Sequence, residues 1–99
     1  MNRTDILDAA RDAIAGRQEI YGAPENSFAG IAALWSAYLG QHVAPLDVAL
    51  MMALLKIARA KGTPGHTDSL VDIAGYAACA VEARVTPPPA GNRWFVDAE

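Results

Sequence analysis

Lys56, Arg59, Asp68 and Asp72 lie in the most apolar part of the chain, in the stretch "KIARAKGTPGHTDSLVDIAGYA". On a helix, residues three or four apart share a face. Lys56 and Arg59 therefore project together, and so do Asp68 and Asp72. The intervening "GTPGH" reads as a turn. Two helices joined so closely are expected to lie antiparallel, which sets Arg59 level with Asp68 and Lys56 level with Asp72. The simplest consequence is two ion pairs with a purely structural role. Buried ion pairs are a poor source of stability, however, because desolvation can match or exceed the attraction. Charges kept among Leu and Ala point instead to a site for a charged ligand.

The residue types say which ligand. Two carboxylates one helical turn apart can hold Mg²⁺ together with phosphate oxygens and water. Lys56 and Arg59 can meet phosphate charge directly, Arg in bidentate fashion. Tyr76 lies one turn beyond Asp72, and Tyr21 and Trp35 stand in the preceding segments. Aromatic faces can stack on a base, although each of these rings, Trp35 above all, also suits ordinary packing. Arg17 heads the same segment as Tyr21, "RQEIYG". The expected ligand is a nucleotide or cyclic nucleotide. The expected binding set is Lys56, Arg59, Asp68, Asp72, Tyr76, Tyr21, Trp35 and Arg17, with Asp68 and Asp72 as the metal pair for Mg²⁺. His42 and His66 are well separated, with no second His or Cys at ligand spacing, which argues against zinc. Ser36 and Ser69 have no His in a recognisable arrangement, which argues against nucleophilic catalysis.

Four helices must position these groups. Asn2 or Thr4 can cap the first, Asp5 and Asp8 suit its positive end, and Gly16 is a plausible stop. Gly22 and Pro24 break the chain next, and Asn26 or Ser27 starts helix two. There Phe28, Ile31, Ala32, Trp35 and Leu39 recur at spacings of three and four, and Gly40 ends it. Pro45 fits the first turn of helix three. That helix is apolar on nearly every side before Lys56, so it is expected at the centre of the bundle or in a subunit interface. Thr67 or Asp68 caps helix four, whose Ala74, Gly75, Ala77, Ala78 and Ala80 form a narrow face for close helix approach. The expected architecture is an all-α, four-helix bundle-like domain over residues 1–86. A Pro-rich extended tail follows over 87–99, in which "TPPPAG" precedes Trp94 and Phe95.

The whole chain sets outer limits. Its 99 residues suit one domain. A domain this size is often marginally stable alone, yet 53% of its residues are hydrophobic. That surplus predicts a homo-oligomer, most simply a symmetric dimer. A net charge of −3 without any basic run argues against binding a nucleic acid polymer. The longest apolar run, "VALMMALL", is far below the ~20 residues of a membrane span, and the charged N-terminus lacks a signal-peptide core. Cys79 is the only cysteine, so no disulfide framework forms. A bacterial host's cytoplasm is the expected compartment.

The runs "RQEIYG", "FAGIAALWSAYLG", "DVALMMALLKIARAKG" and "DSLVDIAGYAACAVE" resemble a family of small phage and prophage domains of unknown function. They are similar also to phage nucleotide-modification-associated domains, which carry a Tyr-Gly turn, a Lys/Arg helix and an Asp-x-x-x-Asp-x-x-x-Tyr helix. More distantly they resemble the MazG-like all-α nucleotide pyrophosphohydrolases. The resemblance covers roughly residues 17–83. It implies a MazG-like helical bundle, dimeric or higher, with Mg²⁺ held between an E-x-x-E helix and an E-x-x-D helix. Asp68 and Asp72 would stand for the second pair, at a spacing of four. The first pair is missing: helix three offers Asp47 and then Lys56 and Arg59, and Glu19 and Glu25 lie before helix two. The chemistry thus favours binding over cleavage. The first expectation is a phage-type protein sequestering a small nucleotide, a host immune signal among the candidates, with little catalysis. The alternatives are a Mg²⁺-dependent nucleoside triphosphate pyrophosphohydrolase and a protein-interaction module built on the apolar surplus and the tail.

Overall fold

Four helices account for the ordered secondary structure in a computed structural model, which describes residues 1–84. They are α1 (Arg3–Tyr21), α2 (Pro24–Leu39), α3 (Pro45–Gly62) and α4 (Thr67–Ala83). The domain is all-helical, as expected. The Pro-rich segment with Trp94 and Phe95, and the last two residues of the expected helical unit, lie outside the described residues.

Local chemistry explains each boundary. Asn2 caps α1 with a reciprocal pair of bonds: the Asp5 N–H donates to the Asn2 side chain at 2.9 Å, and the Asn2 N–H donates to the Asp5 carboxylate at 3.0 Å. Two otherwise orphaned donors are thereby satisfied. The expected stop at Gly16 is not one. A lone glycine costs an exposed helix only about 1 kcal/mol against Ala, and α1 runs on to Tyr21. It ends at Gly22, whose φ of 81° lies where residues bearing a Cβ rarely go. Helix α2 begins at Pro24, two residues before Asn26, because Pro is pre-set for a first turn. Gly40 closes it in the left-handed region at φ 68°. Pro45 opens α3 as expected, and the Ala44 N–H donates to the Asp47 carboxylate at 2.8 Å. Helix α4 starts at Thr67 with His66 in the cap position.

The core brings together Phe28 and Ala32 of α2, Val43 of the connection, Val48 and Ala49 of α3, and Ala80 and Ala83 of α4. Trp35 packs against this cluster. The central helix is α4, not α3: α4 touches each of the other three, and most extensively α3. Its small residues let neighbours approach from several sides, as the narrow face predicts. Helix α3 leaves Leu50, Met51, Leu54, Leu55 and Ile57 exposed. Within one chain it is therefore not the surrounded helix its composition suggests. Helices α1 and α2, joined through Gly22 and Ala23, barely touch each other. The wedge between them holds a cleft.

Candidate functional site

The wedge holds an open cleft of about 480 Å³, floored by α4 and walled by α1 and α2, with Lys56 entering from α3. Helix α1 presents Ile14, Arg17, Gln18 and Tyr21 to it, and α4 presents Asp72, Gly75, Tyr76 and Cys79. Both sets follow the three-and-four spacing that puts side chains on one helical face. The continuation of α1 past Gly16 thus decides the site. Without those last turns, Arg17 and Tyr21 would sit in a loop.

The charged cluster divides in two. Lys56 Nζ lies 3.0 Å from Asp72 Oδ2, with the two side chains 17% and 37% exposed, and both line the cleft. Lys56 has three N–H donors, so one bond to Asp72 leaves donors for a guest. Arg59 and Asp68 behave differently. Both are exposed, neither lines the cleft, and no ion pair joins them among the described residues. Arg59 lies in the last turn of α3 and Asp68 in the first turn of α4, where each charge complements the partial charge of the helix end. The expected convergence of four charges is therefore corrected to one pair at the cleft and two helix-end charges outside it.

Of the other expected residues, Arg17, Tyr21 and Tyr76 line the cleft and Trp35 does not. The Arg17 guanidinium sits 5.1 Å from the Tyr21 ring centroid, within range of a cation–π contact one helical turn apart. Tyr76 pairs with Phe28, centroids 6.2 Å apart, so one side of the cleft is an aromatic wall continuous with the core. Sequence reasoning missed Gln18, Phe28, Gly75 and Cys79 as lining residues. Gln18 follows from Ile14 at helical spacing once α1 is known to continue. Burial pushes the Cys79 thiol above its ordinary value of 9.0, with Glu82 adding to the effect and Arg17 opposing it.

The donor set does not suit a divalent cation. Among the described residues no group of three or more His, Cys, Asp or Glu is placed to hold a metal. Asp72 is engaged by Lys56, and Asp68 lies outside the cleft. Mg²⁺ prefers several oxygen ligands in octahedral array, and among the described residues the cleft offers one carboxylate, Asp72, already met by Lys56. Among the described residues no helix is long and apolar enough to cross a membrane.

Residues 5–84 match a family described as a domain of unknown function, DUF6378. The chain belongs to the DUF6378 family. Two relatives are phage proteins: the Gene 55 protein of Mycobacterium phage D29 and that of Mycobacterium phage L5. The first is 49% identical over 75 residues, covering 75% of this chain and 50% of the relative. The second is 49% identical over 74 residues, covering 73% and 47%. This DUF6378 chain therefore spans about half the length of the relatives it matches. No solved structure matches it.

Proposed function

We propose that this domain is a phage-type nucleotide-binding protein that holds a small nucleotide and does little chemistry on it. One observation carries the reading: a single cleft combines two cations, Arg17 and Lys56, with the rings of Tyr21, Phe28 and Tyr76. Cations meet phosphate and rings stack on a base. A pocket mostly apolar with a few convergent polar groups is the usual form of a small-molecule site. The resemblance to nucleotide-modification-associated and MazG-like domains points to the same class of ligand. Cleavage by a MazG-like route would require metal to neutralise developing charge and activate water, and the carboxylates for that are not gathered here. Sequestration of a nucleotide, a host defence signal among the candidates, fits a site that grips without cutting.

Isothermal titration of purified protein with a panel of nucleotides and cyclic nucleotides tests this. Binding is expected, and Lys56→Ala should weaken it at least tenfold. A charge-assisted hydrogen bond is worth roughly 1.5–3 kcal/mol, and removing Lys56 also leaves Asp72 facing the phosphate unopposed. Arg59→Ala, outside the cleft, should leave affinity unchanged. Absence of heat with every nucleotide would refute the reading, as would equal effects of the two substitutions.

A protein-interaction module is a second reading, favoured by a separate observation. Leu34 and Tyr38 of α2 and Leu54 of α3 are exposed, more large apolar surface than a solitary small domain needs.

A further inference from the structure

Gly75 sits in the middle of α4, one turn from Asp72 and one turn from Cys79, and lines the cleft. Nothing among the described residues asks for glycine there. The positive-φ glycines among the described residues are Gly22 and Gly40. Apart from its own helix backbone, a Cβ built at Gly75 would meet no heavy atom of the described residues within 4 Å. Alanine would therefore fit the backbone and the packing, and it is the better helix former. Among the described residues no neighbour uses the room above Gly75, and it opens beside the Lys56–Asp72 pair and the Tyr76 ring.

The charge and size of the lining narrow what that room holds. Arg17, Lys56 and Asp72 leave the lining one net positive charge. That balances the single negative charge of a cyclic phosphate diester and offsets much of the roughly 1.5–2 negative charges of a phosphomonoester. A triphosphate brings several more negative charges than the lining meets, and the surplus would repel itself in a half-enclosed site. The volume of about 480 Å³ falls in the lower part of the roughly 300–1,000 Å³ typical of small-ligand pockets. That is room for one base, one sugar and one phosphate.

We infer that the cleft takes a nucleotide bearing a single phosphate group, as a nucleoside monophosphate or a cyclic mononucleotide, and that Gly75 is the residue that makes room for it. The inference rests on the nucleotide reading above and specifies its ligand. Arg17 and Lys56 hold the phosphate, and Asp72 steadies the Lys56 ammonium. The sugar or the base edge passes over the bare backbone of Gly75 toward Tyr76. Gly75 is then a specificity-determining position, because any side chain would project into the space the ligand uses.

Titration calorimetry and thermal melting of the full chain, with Gly75→Ala and Gly75→Leu beside the unaltered protein, test it. The probes are adenosine and guanosine 5′-monophosphates, their cyclic mononucleotides and the corresponding triphosphates, all without added metal. The unaltered protein should bind at least one monophosphate or cyclic mononucleotide tenfold or more tightly than its triphosphate. Gly75→Ala should melt higher by about 4 °C, as a helix-interior Gly→Ala change allows, yet bind about tenfold more weakly. Gly75→Leu should abolish binding while keeping the helical content. A preference for triphosphates, or unchanged affinity in both variants, would overturn this inference and leave the broader reading standing. No binding by any nucleotide would overturn the two together.

Discussion

At the scale of single residues, the cleft sets ordinary side chains in one unusual setting. Lys56 is held by Asp72 at 3.0 Å and still faces an open cleft, so the pair orients a cation without consuming it. Arg59 and Asp68 carry the same charges and were equally visible in the sequence. They differ only in lying at helix ends, where solvent and the helix dipole already accommodate them. Cys79 allows a prediction about pH. Its folded-state thiol titrates above 9.0 because burial disfavours the thiolate. The folded protein thus keeps its proton where the unfolded chain begins to lose it. Stability from this source is intact below pH 9 and declines as pH rises beyond it. In melting curves taken from pH 7 to about pH 10.5, Cys79→Ala should show a shallower alkaline fall than the unaltered protein. Parallel curves for the two would show that the thiol does not contribute.

At the scale of elements, the decisive feature is the length of α1. Its start was legible as Asn2 or Thr4, with Asp5 suited to the positive end, but the reciprocal Asn2–Asp5 bonds and its far end were not. Gly16 has the composition of a stop, and the helix passes through it because a lone glycine weakens a helix by only about 1 kcal/mol. The chain turns away instead at Gly22, whose positive φ breaks the helical backbone. The connection after α2 shows a similar economy. The Ser36 hydroxyl donates to the Ala32 carbonyl at 2.7 Å and accepts from the Val43 N–H at 2.8 Å. This ties the segment between Gly40 and Pro45 to the last turns of α2 and helps bury Val43 and Ala44. Read from sequence, Ser36 was only a serine without a catalytic histidine. Ser36→Ala would leave the Val43 N–H without its partner, and an unsatisfied buried donor costs about 1–3 kcal/mol. Chemical denaturation should show a loss in that range. A change near zero would mean that the connection is anchored by its apolar contacts alone.

At the scale of the whole molecule, apolar surface remains to be accounted for. Tyr38 is 90% exposed and Leu54 is 63% exposed, and Leu50, Leu54 and Ile57 recur along α3 at helical spacing. Water-exposed stripes of this kind favour association, because burying them removes apolar area from water. Sedimentation velocity across a range of concentrations is expected to show self-association. Leu54→Glu is expected to shift the distribution toward the single chain without loss of helical signal. One species at every concentration in both proteins would remove the expectation.

Much of this domain could be read from one dimension. The four helices, the cap at Asn2 or Thr4, the stop at Gly40, the opening at Pro45 and the turn that makes α3 and α4 a hairpin all follow from contacts a few residues apart. Such contacts are settled by backbone geometry and side-chain spacing. Which charges face a cavity, which rings line it and which helix occupies the centre depended on how the helices lean on one another. Trp35 packed against the core and Tyr21 reached the cleft because α1 and α2 splay apart at Gly22 while α4 fills the middle. Spacing along a helix specifies a face, but only the packing of the other helices decides what that face looks upon.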